Sequence, residues 1–98
     1  LITKLDGAID WNMRAETIER QIRAYQNWPG SRAEIFGKDI IITEAKIINN
    51  TGVPGEVLIQ KKQLVVCCGD QAIEILRLKP AGKAEMSAEA FLAGIKKH

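Results

Sequence analysis

The chain has 98 residues, 46% of them hydrophobic and 27% charged, the balance of a globular domain that buries one modest core. Fourteen Lys/Arg against 12 Asp/Glu leave a net charge of +2, too little to announce a nucleic-acid binder by charge alone. No apolar run approaches the roughly 20 residues of a membrane helix, and Lys4 and Asp6 interrupt the start before a signal-peptide core could form.

Residues 1–10 mix polar and apolar side chains around Gly7 and read as an extended opening segment. The start at Leu1 rather than Met raises the expectation of a piece from a longer polypeptide. From Arg14 the pattern turns helical. Ala15, Ile18, Ile22 and Tyr25 recur at spacings of three and four, which predicts an amphipathic helix over Ala15–Tyr25. Glu16 and Glu19 toward its start and Arg20 and Arg23 toward its end suit the helix dipole. Asn27, Pro29 and Gly30 then stop it.

Everything after Gly30 reads as β until the last residues. Ser31–Phe36 is a candidate strand closed by a Gly37-Lys38-Asp39 turn, and the β-branched run Ile40–Ile48 is the longest strand. Asn49–Gly55 is a loop by composition. Glu56–Ile59 and Leu64–Cys68 are short strands joined across Gln60–Gln63, and Gly69-Asp70-Gln71 turns the chain into Ile73–Leu78. Lys79–Glu85 is a loop, after which Ser87 caps a final helix carrying Phe91, Leu92 and Ile95. A helix, about five short strands and a closing helix predict an α+β, mainly β domain: a small, partly open OB-like Greek-key barrel spanning residues 1–98.

No catalytic constellation is present. His98 is the only imidazole and stands at the terminus, unanchored for acid–base work. Gly52-x-x-Gly55 is interrupted by Pro54 and leads into a strand, unlike a phosphate loop. Glu16/Glu19 and Glu85/Glu89 lie near helix starts, where solvated carboxylates complement the dipole. Cys67 and Cys68 are neighbours in a strand and point to opposite faces, so a bridge between them would be strained. They read as small buried hydrophobes in a reducing, cytoplasmic setting, and no metal site is expected.

Trp11, Tyr25, Trp28, Phe36 and Phe91 are candidate base-stacking platforms, but Trp11 and Trp28 bracket the first helix and are expected to pack it onto the barrel. Between Lys61 and His98 there are seven Lys/Arg against four Asp/Glu. A positive strip of that size would neutralise several phosphates, making binding fall steeply with salt. The same surplus also reads as scattered solubilising charge, and spacing does not separate the two. Arg23 is read as structural, tying the helix end to neighbouring backbone carbonyls.

Several blocks occur together and in order: Ile9-Asp10-Trp11, Ile22-Arg23-Ala24-Tyr25, Trp28-Pro29-Gly30, Pro54-Gly55-Glu56-Val57, Gly69-Asp70-x-Ala72, and Leu78-x-Pro80-x-Gly82-Lys83 followed by Met86-Ser87-Ala88. In these blocks, from Lys4 to Gly94, the chain resembles the C-terminal domain of methionyl-tRNA formyltransferases. It departs where Gln26-Asn27 replaces a usual Pro and Lys79 replaces a Gln. The resemblance implies an OB-like barrel linked to a Rossmann-like N-terminal catalytic domain, which holds the family's catalytic Asn, His and Asp. It also implies a transferase that moves formyl from 10-formyltetrahydrofolate to methionine on initiator tRNA in translation initiation. This domain would bind no cofactor itself. Its role would be to hold the tRNA by backbone and shape, through a basic face of Lys4, Lys61, Lys62, Arg77 and Lys83, with Arg32 and Lys38 as weaker members. The alternative is a packing or oligomerisation domain of another formyltransferase, of the sugar-nucleotide N-formyltransferase type, without RNA. A free-standing OB-type module for a protein or ligand is a third reading.

Overall fold

In the computed structural model, which describes residues 7–95, the β-branched runs become the frame of the molecule. The elements are α1 (Ala15–Ala24), β1 (Ser31–Ile35), β2 (Lys38–Ile48), β3 (Val57–Gln60), β4 (Gln63–Cys67), β5 (Ala72–Pro80), β6 (Met86–Ser87) and α2 (Ala88–Ile95). Among the described residues the strands form one six-stranded antiparallel sheet in the order β1-β2-β5-β4-β3, with β6 added to β5. Three successive strands, β3 to β5, are neighbours, and β2 returns beside β5, which is Greek-key order. The path ends at β1 and β3 without closing, in keeping with the partly open barrel expected from sequence.

Strand alternation decides what is buried. Ile40 and Ile42 of β2, Leu64 and Val66 of β4, and Ile73 and Ile75 of β5 share one face and one core. Onto that core α1 lays Ala15, Ile18 and Ile22, and α2 lays Ala88, Phe91 and Leu92. Val65 and Cys67 point to the opposite face yet are fully buried too, which explains the unbroken apolar run of β4. Each large aliphatic side chain buried this way contributes about 1.5–3 kcal/mol, before conformational entropy is subtracted. The core therefore holds both helices to one sheet.

The start of α1 is held by the turn between β4 and β5. The Ala15 amide donates to the Asp70 carbonyl at 2.9 Å, and the Gly69 amide donates to the Met13 carbonyl at 2.8 Å. A Cβ on Gly69 would overlap the Asn12 carbonyl. Ahead of the helix, the Ile9 amide donates to the Arg32 carbonyl at 2.9 Å, tying the opening segment to β1. Register shifts along β2 between Ile42 and Ala45 mark a bulge, and Gln26 donates to the Thr43 carbonyl there at 3.1 Å.

Several sequence expectations change in detail. Phe36 leaves the strand and Lys38-Asp39 leave the turn, because Ile35 pairs with Lys38 and only Phe36 and Gly37 remain between them. The β3–β4 connection likewise tightens to Lys61-Lys62. β5 runs on to Pro80 because β2 and β6 both offer it ladder partners, and this shortens the loop expected over Lys79–Glu85. The Ser87 hydroxyl accepts the Ala90 amide at 3.1 Å, the cap expected of it. Arg23 does not reach backbone carbonyls; its Nε donates to Glu19 Oε2 at 2.8 Å, one helical turn away.

The aromatics divide. Trp11 packs half-buried against the core and Phe91 lies inside it. Trp28 is not a core residue, contrary to expectation, and is 60% exposed. The Gly30 amide turns back to the Tyr25 carbonyl at 2.9 Å, so the intervening loop carries Trp28 outward while Pro29 and Gly30 are buried.

Candidate nucleic-acid interface

Six of the seven cations expected at an RNA face fall among the described residues; Lys4 lies outside them. Their grouping follows from the strand register. Lys38 opens β2, Lys83 stands in the turn between β5 and β6, and both line a cleft of about 490 Å³ beside α2. That cleft is floored by Met86, Phe91 and Ile95, and Asp39 is the carboxylate that lines it. Among the described residues no carboxylate lies within 4 Å of either ammonium group.

On the other flank of α2, Lys61 and Lys62 stand at the tip of the β3–β4 hairpin. They border a smaller hollow of about 200 Å³ with Ile59, Glu89 and Leu92. Lys62 Nζ lies 3.8 Å from Glu89 Oε2, while Lys61 has no such partner among the described residues. Helix α2 thus runs between two cationic borders, one from each side of the sheet.

Arg77 is held differently. Its Nε donates to Glu85 Oε2 at 2.5 Å, and both side chains are somewhat less than half exposed. The pair links β5 to the segment leading into β6. Glu85 and Glu89, read from sequence as solvated dipole partners, are therefore ion-pair acceptors for two of the expected RNA ligands. A half-exposed pair is worth at most about 1 kcal/mol, so a phosphate can displace the carboxylate.

Arg32 stands apart from the rest. It pairs across to Ile41, which pairs across to Lys79, so Arg32 and Lys79 flank Ile41 on the face opposite the main core. Both border a cleft of about 650 Å³ that also takes in Trp11, Glu34 and Asp39. The Arg32 Nε is buried and has no hydrogen-bond partner. Lys79, named in the sequence only where it replaces the family's Gln, therefore lies beside Arg32 in a cleft of balanced charge that only cross-strand register brings together. The two larger clefts meet at Asp39, Pro80 and Ala81.

The positive track is consequently interrupted by Asp39, Glu85 and Glu89 rather than continuous. Chemically the surface can hold anions, and among the described residues it brings together no nucleophile with an activating base. The two thiols are buried and free. Burial pushes the Cys68 thiol up to about 11, and burial, with the Glu56 carboxylate nearby, also raises Cys67. Both stay protonated and unreactive at neutral pH. No helix among the described residues is long and apolar enough to cross a membrane.

Comparison with known proteins agrees with the blocks found in the sequence. The chain is 41% identical over 93 residues to a methionyl-tRNA formyltransferase of Acidiphilium cryptum, covering 95% of this chain and 30% of that protein. A methionyl-tRNA formyltransferase of Neisseria meningitidis serogroup C is 42% identical over 94 residues, with the same coverage. The chain thus spans about a third of the length of these curated relatives. In fold it is similar to HypX from Aquifex aeolicus, solved in complex with tetrahydrofolic acid, with a TM-score of 0.81 at 21% identity over 98% of this chain and 18% of HypX. A multiply substituted HypX variant gives a TM-score of 0.82 at 20% identity, covering 99% of this chain and 18% of that one. The family model for the formyl transferase C-terminal domain matches residues 1–96, and the chain belongs to that family.

Proposed function

We propose that this chain is the C-terminal, RNA-holding domain of a methionyl-tRNA formyltransferase. In that enzyme a linked N-terminal domain transfers formyl from 10-formyltetrahydrofolate to the methionine of initiator tRNA in the cytoplasm. The reading is carried by about 40% identity, along nearly the whole chain, to proteins of that name. The borders of α2 support it, because Lys38, Lys83 and Lys61 project from two sides of one helix with no carboxylate within 4 Å among the described residues. Cations spread over such a face suit the phosphates of a folded RNA, whose stems hide their base edges in a deep groove. Lys62 and Arg77 join once phosphate replaces their carboxylates, whereas Arg32 and Lys79 serve a neighbouring cleft. Lys4 belongs to the proposed face through the family resemblance alone.

The role assigned to the domain is positioning. Holding the tRNA body raises the effective concentration of its charged end at the catalytic domain without touching the reacting atoms. Lys38→Ala and Lys83→Ala should each weaken tRNA binding and flatten the slope of log K against log salt by about one unit. In the whole enzyme they should raise KM for tRNA and leave kcat nearly unchanged. Unaltered salt-dependent affinity in both variants would remove the RNA-holding assignment.

A second reading, a packing domain of a formyltransferase that handles no RNA, is favoured by one observation: Arg77 and Lys62 are already neutralised within the fold. It requires that the chain ignore tRNA even at low salt, which the same titration measures.

A further inference from the structure

Both two-residue hairpins place a large side chain where glycine or asparagine would be at ease. Phe36 has φ +55° and Gly37 φ +73°, the mirror-image turn whose central pair favours Asn-Gly. Lys61 holds φ +60° between the paired Gln60 and Gln63. For a bulky aromatic this backbone is uncommon and strained.

Ladder pairing of Ile35 with Lys38 holds Phe36 in this backbone, but the ring itself gains little from the fold. Its side chain is 45% exposed, and it belongs neither to the core nor to the hydrophobic residues packed against it. A ring left 45% exposed on a hairpin tip is free to meet something outside the fold. Its surroundings indicate what that is. Lys38 follows two residues on and shares with Lys83 the cleft beside α2, where Asp39 is the opposing charge. An exposed ring two residues along the chain from Lys38, which enters that cleft, suits a base on its face with phosphates alongside. Bases within an A-form stem are stacked on both sides, so an unpaired or terminal base is the one that can present a free face.

We propose that Phe36 is a stacking platform for an unpaired nucleobase of the bound RNA, with Lys38 and Lys83 holding the adjoining phosphates. The proposal rests on the RNA-holding reading above. Its test is Phe36→Asn, which relaxes the turn and removes the ring. Thermal unfolding of the variant should match or exceed that of the parent chain, while affinity for a tRNA transcript falls at least about five-fold. Phe36→Tyr, which keeps the ring, should bind within about two-fold of the parent. Stacking releases no counterions, so Phe36→Asn should leave the salt slope unchanged, whereas Lys38→Ala flattens it by about one unit. A blunt RNA duplex without unpaired bases should not distinguish Phe36→Asn from the parent.

Unchanged affinity of Phe36→Asn for the transcript overturns the stacking role. If Lys38→Ala and Lys83→Ala still bind weakly, the cationic reading survives without it. An equal loss on the blunt duplex overturns the preference for an unpaired base. Should Phe36→Asn instead leave RNA affinity intact but lower formyl transfer by the whole enzyme, the tip is a protein contact and the proposal fails.

Discussion

Cys68 illustrates how much one side chain's setting adds to its identity. The sequence places it in an apolar strand segment, and the structure leaves it 3% exposed, with Sγ donating to the Val66 carbonyl at 3.6 Å. Burial lifts its pKa from 9.0 to about 11. The raised value means the native state favours the protonated thiol. Its contribution is complete below about pH 9, the unfolded value, and is lost as pH rises through about 11. Denaturant midpoints should therefore fall between those limits, and Cys68→Ala should show a shallower fall. A profile identical to the parent's would show that another group governs the decline. The burial of this residue follows from its run of apolar neighbours, whereas the carboxylate partners of Arg77 and Lys62 do not. Glu85 is eight positions from Arg77, and Glu89 is 27 positions from Lys62 (89 − 62), on a different element. Composition near a helix start suggested dipole partners, but cross-sheet geometry made them ion pairs.

At the level of elements, helix and strand periodicity placed nearly every segment within one or two residues, since each apolar stripe answers to one local face. Turn lengths were less accessible. Gly37-Lys38-Asp39 carries ordinary turn composition, yet pairing of Ile35 with Lys38 selects Phe36-Gly37. Ladder register outweighs composition there, because each added pair satisfies backbone donors and acceptors. The β4–β5 turn shows a further dependence on distant chain. Gly69 sits where a Cβ would overlap the Asn12 carbonyl, while a Cβ on Gly94 in α2 meets nothing within 4 Å. Gly69→Ala should cost about 1–3 kcal/mol, as overpacking does. Gly94→Ala should gain about 0.5–1 kcal/mol from helix propensity and lost unfolded-state freedom. Chemical denaturation of the two variants checks both signs, and equal effects would refute the close approach.

For the whole molecule, the balance of charge matters more than its total. The net charge of +2 conceals cations gathered along the flanks of α2 and around the β1–β2 and β5–β6 turns. Glu85 and Glu89 pair with two of those cations, lowering the attraction of this surface for any polyanion. Replacing them by Gln should raise tRNA affinity and steepen the salt slope by up to about one unit for each released cation. Loss of affinity in Glu85→Gln/Glu89→Gln would mean that the carboxylates support the binding surface instead of opposing it.

Periodicity and β-branching within the chain were enough to determine the two helices, the five longer strands and the buried faces, because each depends on near neighbours; the two-residue β6 was missed. Ordered blocks such as Trp28-Pro29-Gly30 and Leu78-x-Pro80-x-Gly82-Lys83 were enough to point to the formyltransferase family. Tertiary structure alone decided that Trp28 faces outward, that Lys38 and Lys83 line one cleft, that Arg32 and Lys79 stand on the other face, and that Glu85 and Glu89 intervene. The reason is physical. These placements depend on which strands become neighbours and in what register, and burial of apolar faces by the whole chain settles that rather than any local preference.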